Sequence, residues 1–187
     1  RVIFYLLATN LGEVIALVAS LVIGLPLPLT AVMILWINLI TDGVCDIPLG
    51  LEPNARDVLS EPPRTPGSPI IDAPMLRRIA ILAVVIAAGT LFAFWRELEA
   101  SGIERAQTMA FTTLAAFQWF KAYSARSRTR SVFSIGVFRN RWLNAGVAVA
   151  VGLQLLAVHT GVGQSLLGTV GLSLTDWLRV LGVSVIV

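Results

Sequence analysis

The sequence LWINLITDGVCDIPLG, residues 35–50, decides how this chain is interpreted, because it places polar side chains inside an apolar run. Asn38, Thr41 and Asp42 stand at i, i+3 and i+4, so they share one face of a helix. Asp46 is four residues further on and extends the same stripe. If the run crosses a membrane, a carboxylate there costs about 3 kcal/mol and usually faces a partner or a water-filled path. The stripe therefore predicts a functional site.

The preceding apolar run carries a second polar pair of the same kind. In ATNLGEVIALV, residues 8–18, Asn10 and Glu13 are three apart and share a helix face. Gly12 between them predicts a weak point in the helix or a close neighbour. Gly43, directly after Asp42, allows the second helix to unwind and free its backbone carbonyls.

Composition indicates that lipid surrounds most of the chain. Of 187 residues, 56% are hydrophobic and 13% are charged, whereas soluble domains are about 25% charged. These values exclude an ordinary soluble domain and a disordered chain, and a single cysteine excludes an intrachain disulfide framework. The predicted fold is an all-α, polytopic membrane bundle of about six transmembrane helices. The six apolar segments are Val2–Leu25, Leu29–Leu49, Ile79–Trp95, Ala106–Phe120, Trp142–Val158 and Leu174–Val187.

Two of the six segments have special features. The fourth is short and rich in polar residues, so we expect it to face protein rather than lipid; these residues are Thr108, Thr112, Thr113 and Gln118. The sixth carries Asp176 and Arg179, which we interpret as anchors at the membrane interface. Pro26 and Pro28 predict a tight hairpin between the first two helices.

The basic residues predict the orientation of the bundle. The loops at about 50–78 and 121–141 lie on the same side as both termini, and the second of these loops is strongly basic. This bias predicts cytoplasmic termini in a plasma (inner) membrane, and it indicates contact with anionic lipid rather than nucleic acid. Eleven basic residues lie on this side, against Arg96 and Arg105 on the other: Arg1, Arg56, Arg64, Arg77, Arg78, Lys121, Arg126, Arg128, Arg130, Arg139 and Arg141.

The polar stripes contain oxygen ligands and no histidine or clustered cysteine. Hard cations such as Ca²⁺ take six to eight oxygen ligands, whereas zinc and copper favour nitrogen and sulfur. A proton or a monovalent cation also remains possible as the bound ion, because oxygen ligands do not select a single ion. A purely structural role also stays open for the amides and the threonine, which often hydrogen-bond membrane helices together.

Four short strings carry a family resemblance. TNLGEV (9–14), LWINLITDG (35–43), PLGLEP (48–53) and EPPRTP (61–66), in this order, resemble the C-terminal membrane half of P-type cation ATPases, and the calcium-pump type in particular. The resemblance covers residues 1–187 and implies the fifth to tenth helices of such a pump. It implies cation ligands at Asn10, Glu13, Asn38, Thr41, Asp42 and Gln118.

The chain departs from the family pattern at two places. Two-site calcium pumps carry a carboxylate where Gln118 stands, so a neutral amide weakens the case for a second ion. Cys45 and Asp46 stand where the family commonly has proline and small residues, and Asp46 adds a negative charge.

The resemblance implies that the chain works as part of a longer protein. The sequence contains no DKTGT phosphorylation motif and no P-loop, so ATP and magnesium would bind in cytoplasmic domains outside it. The expected partners are membrane lipid, the N-terminal helices and the cytoplasmic head, which the loop Glu52–Pro69 could touch. The alternatives are a pump for manganese, sodium, potassium or protons, and a stand-alone secondary transporter or channel. The sequence shows no internal repeat, which would support a secondary transporter, and no filter motif, which would support a channel.

Overall fold

The computed structural model describes residues 1–51, 70–126, 136 and 139–187, which form helices and no strand. The predicted all-α membrane bundle is therefore confirmed. The loop Glu52–Pro69 and most of the basic loop lie outside the described residues. The helices are α1 (Val2–Val22), α2 (Ala31–Gly50), α3 (Ala73–Ser101), α4 (Ile103–Ser124), α5 (Arg141–His159), α6 (Gly161–Leu167) and α7 (Leu174–Ser184).

Within the described part of the chain, α1, α2, α3 and α5 are long and apolar enough to cross a membrane. Helix α4 has 22 residues and most of them are buried, which confirms that this segment faces protein. Helix α7 has 11 residues, fewer than the roughly 20 that a full span needs. The short helix α6, which precedes it, was not expected from the sequence.

The connection between α1 and α2 follows the predicted proline-containing hairpin. After α1 ends, Gly24 adopts a left-handed φ of 75°, and the Leu25 amide donates to the Ser20 carbonyl at 2.8 Å. Pro26 and Pro28 lie between the two helices, and the Thr30 hydroxyl caps α2 by accepting from the Met33 amide at 3.3 Å. The chain therefore returns into the bundle within a few residues.

Glycines bring the helices close together on either side of the candidate site. A Cβ at Gly12 would lie 2.9 Å from Cγ2 of Ile86 and 3.2 Å from the carbonyl oxygen of Ala83, so α1 and α3 are in tight contact. The close neighbour that Gly12 predicts is thus confirmed. A Cβ at Gly146 would lie 2.6 Å from the Val44 carbonyl oxygen, so α5 packs equally closely on α2. Small residues at such positions let membrane helices approach each other.

Helix α2 widens in its middle instead of unwinding at its glycine. Residues Ile37–Asp42 form a π-helical segment, and regular α-helix resumes at Gly43. The prediction that the helix unwinds at Gly43 is wrong, although the irregularity lies directly beside that residue. π-helical turns hold more residues per turn than an α-helix and frequently occur at functional sites.

An ion-pair network ties α3, α4 and α7 together at one end of the bundle. Arg105 pairs with Glu97 at 3.3 Å and with Asp176, whereas Arg179 lies 3.5 Å from both carboxylates. Asp176 also caps α7 through a capping box with Ser173. Asp176 is 1% exposed, so it is a buried structural residue rather than a simple interface anchor.

Candidate cation site

Helices α1 and α2 meet through the predicted residues Glu13 and Asn38. The Asn38 Nδ2 donates to Glu13 Oε1 at 3.5 Å and to the Ile34 carbonyl of its own helix at 3.0 Å. Glu13 is 5% exposed, whereas Asn38 lies on the exposed side of the π-helical segment. The two polar stripes that the sequence places on separate helices are thus brought together.

Asp42 and Thr41 end the π-helical segment and are both buried, at 2% exposure each. Within the described part of the chain, neither oxygen of Asp42 makes a hydrogen bond of normal geometry, although the Tyr5 hydroxyl lies beside this carboxylate, and Oε2 of Glu13 has no partner. Asp42 is near enough to Glu13 for the two carboxylates to repel each other. Buried polar atoms are normally satisfied, so three unpartnered carboxylate oxygens indicate a place for a cation.

Gln118 and Asn10 differ sharply in how the structure places them. Gln118 lies on α4 at 1% exposure, and both polar atoms of its amide lack a partner among the described residues. Asn10 lies on the exposed side of α1. Both remain predicted ligands, and of the two only Gln118 has a buried amide without hydrogen-bond partners.

The acidic residues do not form a closed metal centre by themselves. No group of three or more His, Cys, Asp or Glu side chains that could hold a metal ion occurs in the described ranges. A cation at Glu13 and Asp42 would therefore need oxygen atoms from amides, hydroxyls, backbone carbonyls or water as well.

Lys121 is the residue that sequence reasoning missed. The sequence interpretation places it at the start of the basic cytoplasmic loop, but α4 continues to Ser124 and Lys121 is fully buried in it. Its Nζ donates to the Tyr5 carbonyl of α1 at 2.9 Å, and the Tyr5 hydroxyl lies beside Asp42 and Cys45. The only signal in the sequence is the three-residue spacing from Gln118, which puts both side chains on one helix face.

Comparison with known proteins assigns this arrangement to a family. Residues 26–187 match the family model described as cation transporting ATPase, C-terminus. The chain belongs to this family. Membership confirms the resemblance that the four sequence strings carry. Together with the four membrane-length apolar helices, it makes this chain part of an integral membrane protein.

Three similar proteins are named as calcium-transporting ATPases. Type 2C member 2 from Mus musculus is 40% identical over 180 residues, which are 95% of this chain and 19% of that protein. Type 2C member 1 from Homo sapiens is 37% identical over 179 residues, with 95% and 20% covered. A calcium-transporting ATPase from Bacillus subtilis is 33% identical over 188 residues, with 100% and 21% covered. The chain thus spans about a fifth of the length of these curated relatives.

Proposed function

We propose that this chain carries Ca²⁺ across the membrane as the translocating part of an ATP-driven P-type pump. The supporting observation is the pair of buried carboxylates, Glu13 and Asp42, whose three unpartnered oxygens lie on helices joined by the Asn38 amide. The three relatives described above are named as calcium-transporting ATPases, which supports Ca²⁺ as the cargo.

In this proposal, Ca²⁺ exchanges its hydration shell for protein oxygens. Glu13 and Asp42 supply the charge, and Asn38 and Thr41 supply neutral oxygens from the same face of α2. Asn38 now uses its Nδ2 to hold Glu13, so ion binding would turn its amide oxygen towards the cation. Gln118 and Asn10 complete the proposed set, together with groups from the rest of the pump.

The remaining parts of the pump would supply the energy. ATP and magnesium would act in cytoplasmic domains outside this chain, and phosphorylation there would open the site alternately to each side of the membrane. We place both termini in the cytoplasm of a plasma (inner) membrane, because the basic residues concentrate on that side. The N-terminal helices, the cytoplasmic head and membrane lipid are the proposed partners.

Phosphoenzyme formation in the full-length pump tests the ligand assignment. We expect Glu13→Gln and Asp42→Asn each to abolish Ca²⁺-dependent phosphorylation from ATP, because each removes a buried charge that the cation needs. Glu99→Gln is the matched control, since Glu99 is an exposed carboxylate in the last turn of α3, and this variant should phosphorylate normally. Normal Ca²⁺-stimulated phosphorylation in both site variants would disprove the assignment.

The identity of the ion needs a separate measurement. At constant MgATP, ATPase activity of the wild-type pump should be stimulated by Ca²⁺ at lower concentrations than by manganese, sodium or potassium. Stimulation by one of these other ions at the lowest concentration would make that ion the cargo and leave the ligand assignment standing.

A further inference from the structure

A mostly apolar cavity lies between α3, α4 and α7, at the end of the bundle that carries the ion-pair network. It has a volume of about 150 Å³, and Phe92 of α3 and Val183 of α7 form part of its wall. One turn deeper, at Gly89, the three helices close together, because a Cβ there would lie 2.5 Å from Cζ of Phe117 and 3.1 Å from Cγ1 of Val183. An apolar cavity of roughly this volume holds a benzene-sized hydrocarbon group.

The cavity is open towards the surroundings of the bundle. Phe92, at its wall, is 50% exposed, and a Cβ at Gly182 on the α7 side would meet nothing within 4 Å. Trp95, in the next turn of α3, is also half-exposed, and tryptophan is typical of the membrane–water interface. Because α3 is one of the membrane-length apolar helices, the molecules that meet this opening are lipids.

Two arginines line the outer end of the cavity. Arg96 is exposed and makes no ion pair with any residue in the described ranges. The Arg179 side chain is 44% exposed and only touches Glu97 and Asp176 at 3.5 Å, which leaves further N–H donors of its guanidinium available. Each arginine stands four residues, or about 6 Å of helix, outward from the apolar wall residue of its own helix. The cavity thus has a basic outer end and an apolar interior.

This polarity matches a phospholipid, whose phosphate lies at the interface and whose acyl chains lie deeper. Guanidinium groups bind phosphate oxygens through paired hydrogen bonds. The third charged residue of the wall, Glu97, is already paired with Arg105 at 3.3 Å, so the two arginines leave an excess of positive charge at the opening. An excess of this sign favours a headgroup with a net negative charge.

We propose that the cavity binds an anionic phospholipid from the membrane leaflet at the Arg96 end. Arg96 and Arg179 hold the phosphate, and the first carbons of one acyl chain fill the apolar interior. The bound lipid joins α7, which is too short to span the membrane alone, to α3. The inference requires that the chain lies in a membrane, and it is independent of the Ca²⁺ ligands.

Native mass spectrometry of the full-length pump, purified in detergent and titrated with phosphatidylglycerol or phosphatidylcholine, tests the inference. We expect the first phosphatidylglycerol to bind at least about fivefold more tightly, which is the factor that one arginine contributes at an anionic lipid surface. Arg96→Gln has no ion pair to break and should bring the two lipids within about twofold of each other. Gly182→Leu fills open space and should weaken the binding of both lipids.

Matched variants elsewhere in the chain serve as controls. Arg141→Gln removes an exposed arginine at the opposite end of the bundle and should keep the preference for phosphatidylglycerol. Gly152→Leu places the same side chain on α5, where a Cβ also meets nothing within 4 Å, and should bind both lipids as the wild type does. A phosphatidylglycerol with a diazirine near the start of its acyl chain should crosslink to α3 and α7.

Several results would overturn the inference. Equal affinity of the wild type for both lipids would do so, as would an unchanged preference in Arg96→Gln. Equal losses in Arg96→Gln and Arg141→Gln would show that these are ordinary interface arginines. Crosslinks only outside α3, α4 and α7 would mean that another segment of the pump covers the cavity. Glu13→Gln and Asp42→Asn should bind phosphatidylglycerol normally, so a failure of the ion-ligand assignment is seen separately.

Discussion

Gln118 is the residue whose replacement most directly probes the composition of the site. Both polar atoms of its buried amide lack partners among the described residues, and Lys121 follows one turn later on the same face. We expect Gln118→Glu to change the affinity or the number of bound Ca²⁺ ions, because it replaces a neutral buried ligand with a carboxylate. Calorimetric titration of the full-length pump measures both quantities. The matched control is Gln154→Glu on α5, a buried glutamine that donates to Thr112 at 3.3 Å. Identical Ca²⁺ binding in the wild type and Gln118→Glu would show that Gln118 only packs.

Single residues also show how far sequence reasoning reaches. The contact between Glu13 and Asn38 could be anticipated, because helical spacing places each on the polar face of its own helix. The burial of Lys121 could not, because its partner Tyr5 is 116 residues away and only the packing of α4 against α1 brings them together. Asn10 shows that spacing alone does not predict burial. It is three residues from Glu13 in the same helix, yet it lies on the exposed side of α1.

At the scale of helices, the contact between α1 and α3 positions the first half of the site. Gly12 precedes Glu13, and a Cβ there would lie 3.2 Å from the Ala83 backbone carbonyl, which cannot move as a side chain can. We expect Gly12→Ala to destabilise the bundle by about 1–3 kcal/mol through overpacking and to weaken Ca²⁺ binding by displacing Glu13. Thermal unfolding in detergent and Ca²⁺-dependent phosphorylation check the two effects. Gly152→Ala is the control, because a Cβ at Gly152 on α5 would meet nothing within 4 Å. A more thermostable Gly12→Ala pump would refute the packing role.

Hydropathy predicted most of these helices and some of their limits. The predicted segment Trp142–Val158 corresponds closely to the observed helix Arg141–His159. The predicted segment Ile79–Trp95 lies within a longer, 29-residue helix, Ala73–Ser101. The additional turns contain charged residues such as Arg77, Arg78 and Glu97, which a hydropathy window excludes although the backbone continues as a helix. The π-helical segment of α2 could not be predicted from hydropathy, because it depends on the hydrogen-bond register of the backbone rather than on composition.

At the scale of the whole molecule, charge and helix length fit one membrane orientation. On α3, Arg78 and Arg96 are 18 residues apart, which is about 27 Å of helix and close to the thickness of a bilayer core. Arg105 and Arg179 lie at the Arg96 end, where Glu97 and Asp176 neutralise them. The Arg78 end carries basic side chains on several helices, and we therefore expect this end to face the cytoplasm.

This orientation is tested by labelling single cysteines in intact cells. The background is the full-length pump with Cys45→Ser and with every cysteine outside residues 1–187 also replaced, and this cysteine-free pump is the unlabelled control. We expect Glu99→Cys, at the exposed end of α3, to react with a membrane-impermeant maleimide from outside, because the proposed orientation puts the connection between α3 and α4 on the outer side. Ile71→Cys, before α3, should react only after the membrane is made permeable. Labelling of Ile71→Cys in intact cells, together with no labelling of Glu99→Cys, would show that the topology is the reverse of the one proposed. The polar stripes of α1 and α2 would remain inside the membrane, but the pump would then need its cytoplasmic head at the opposite end of this domain.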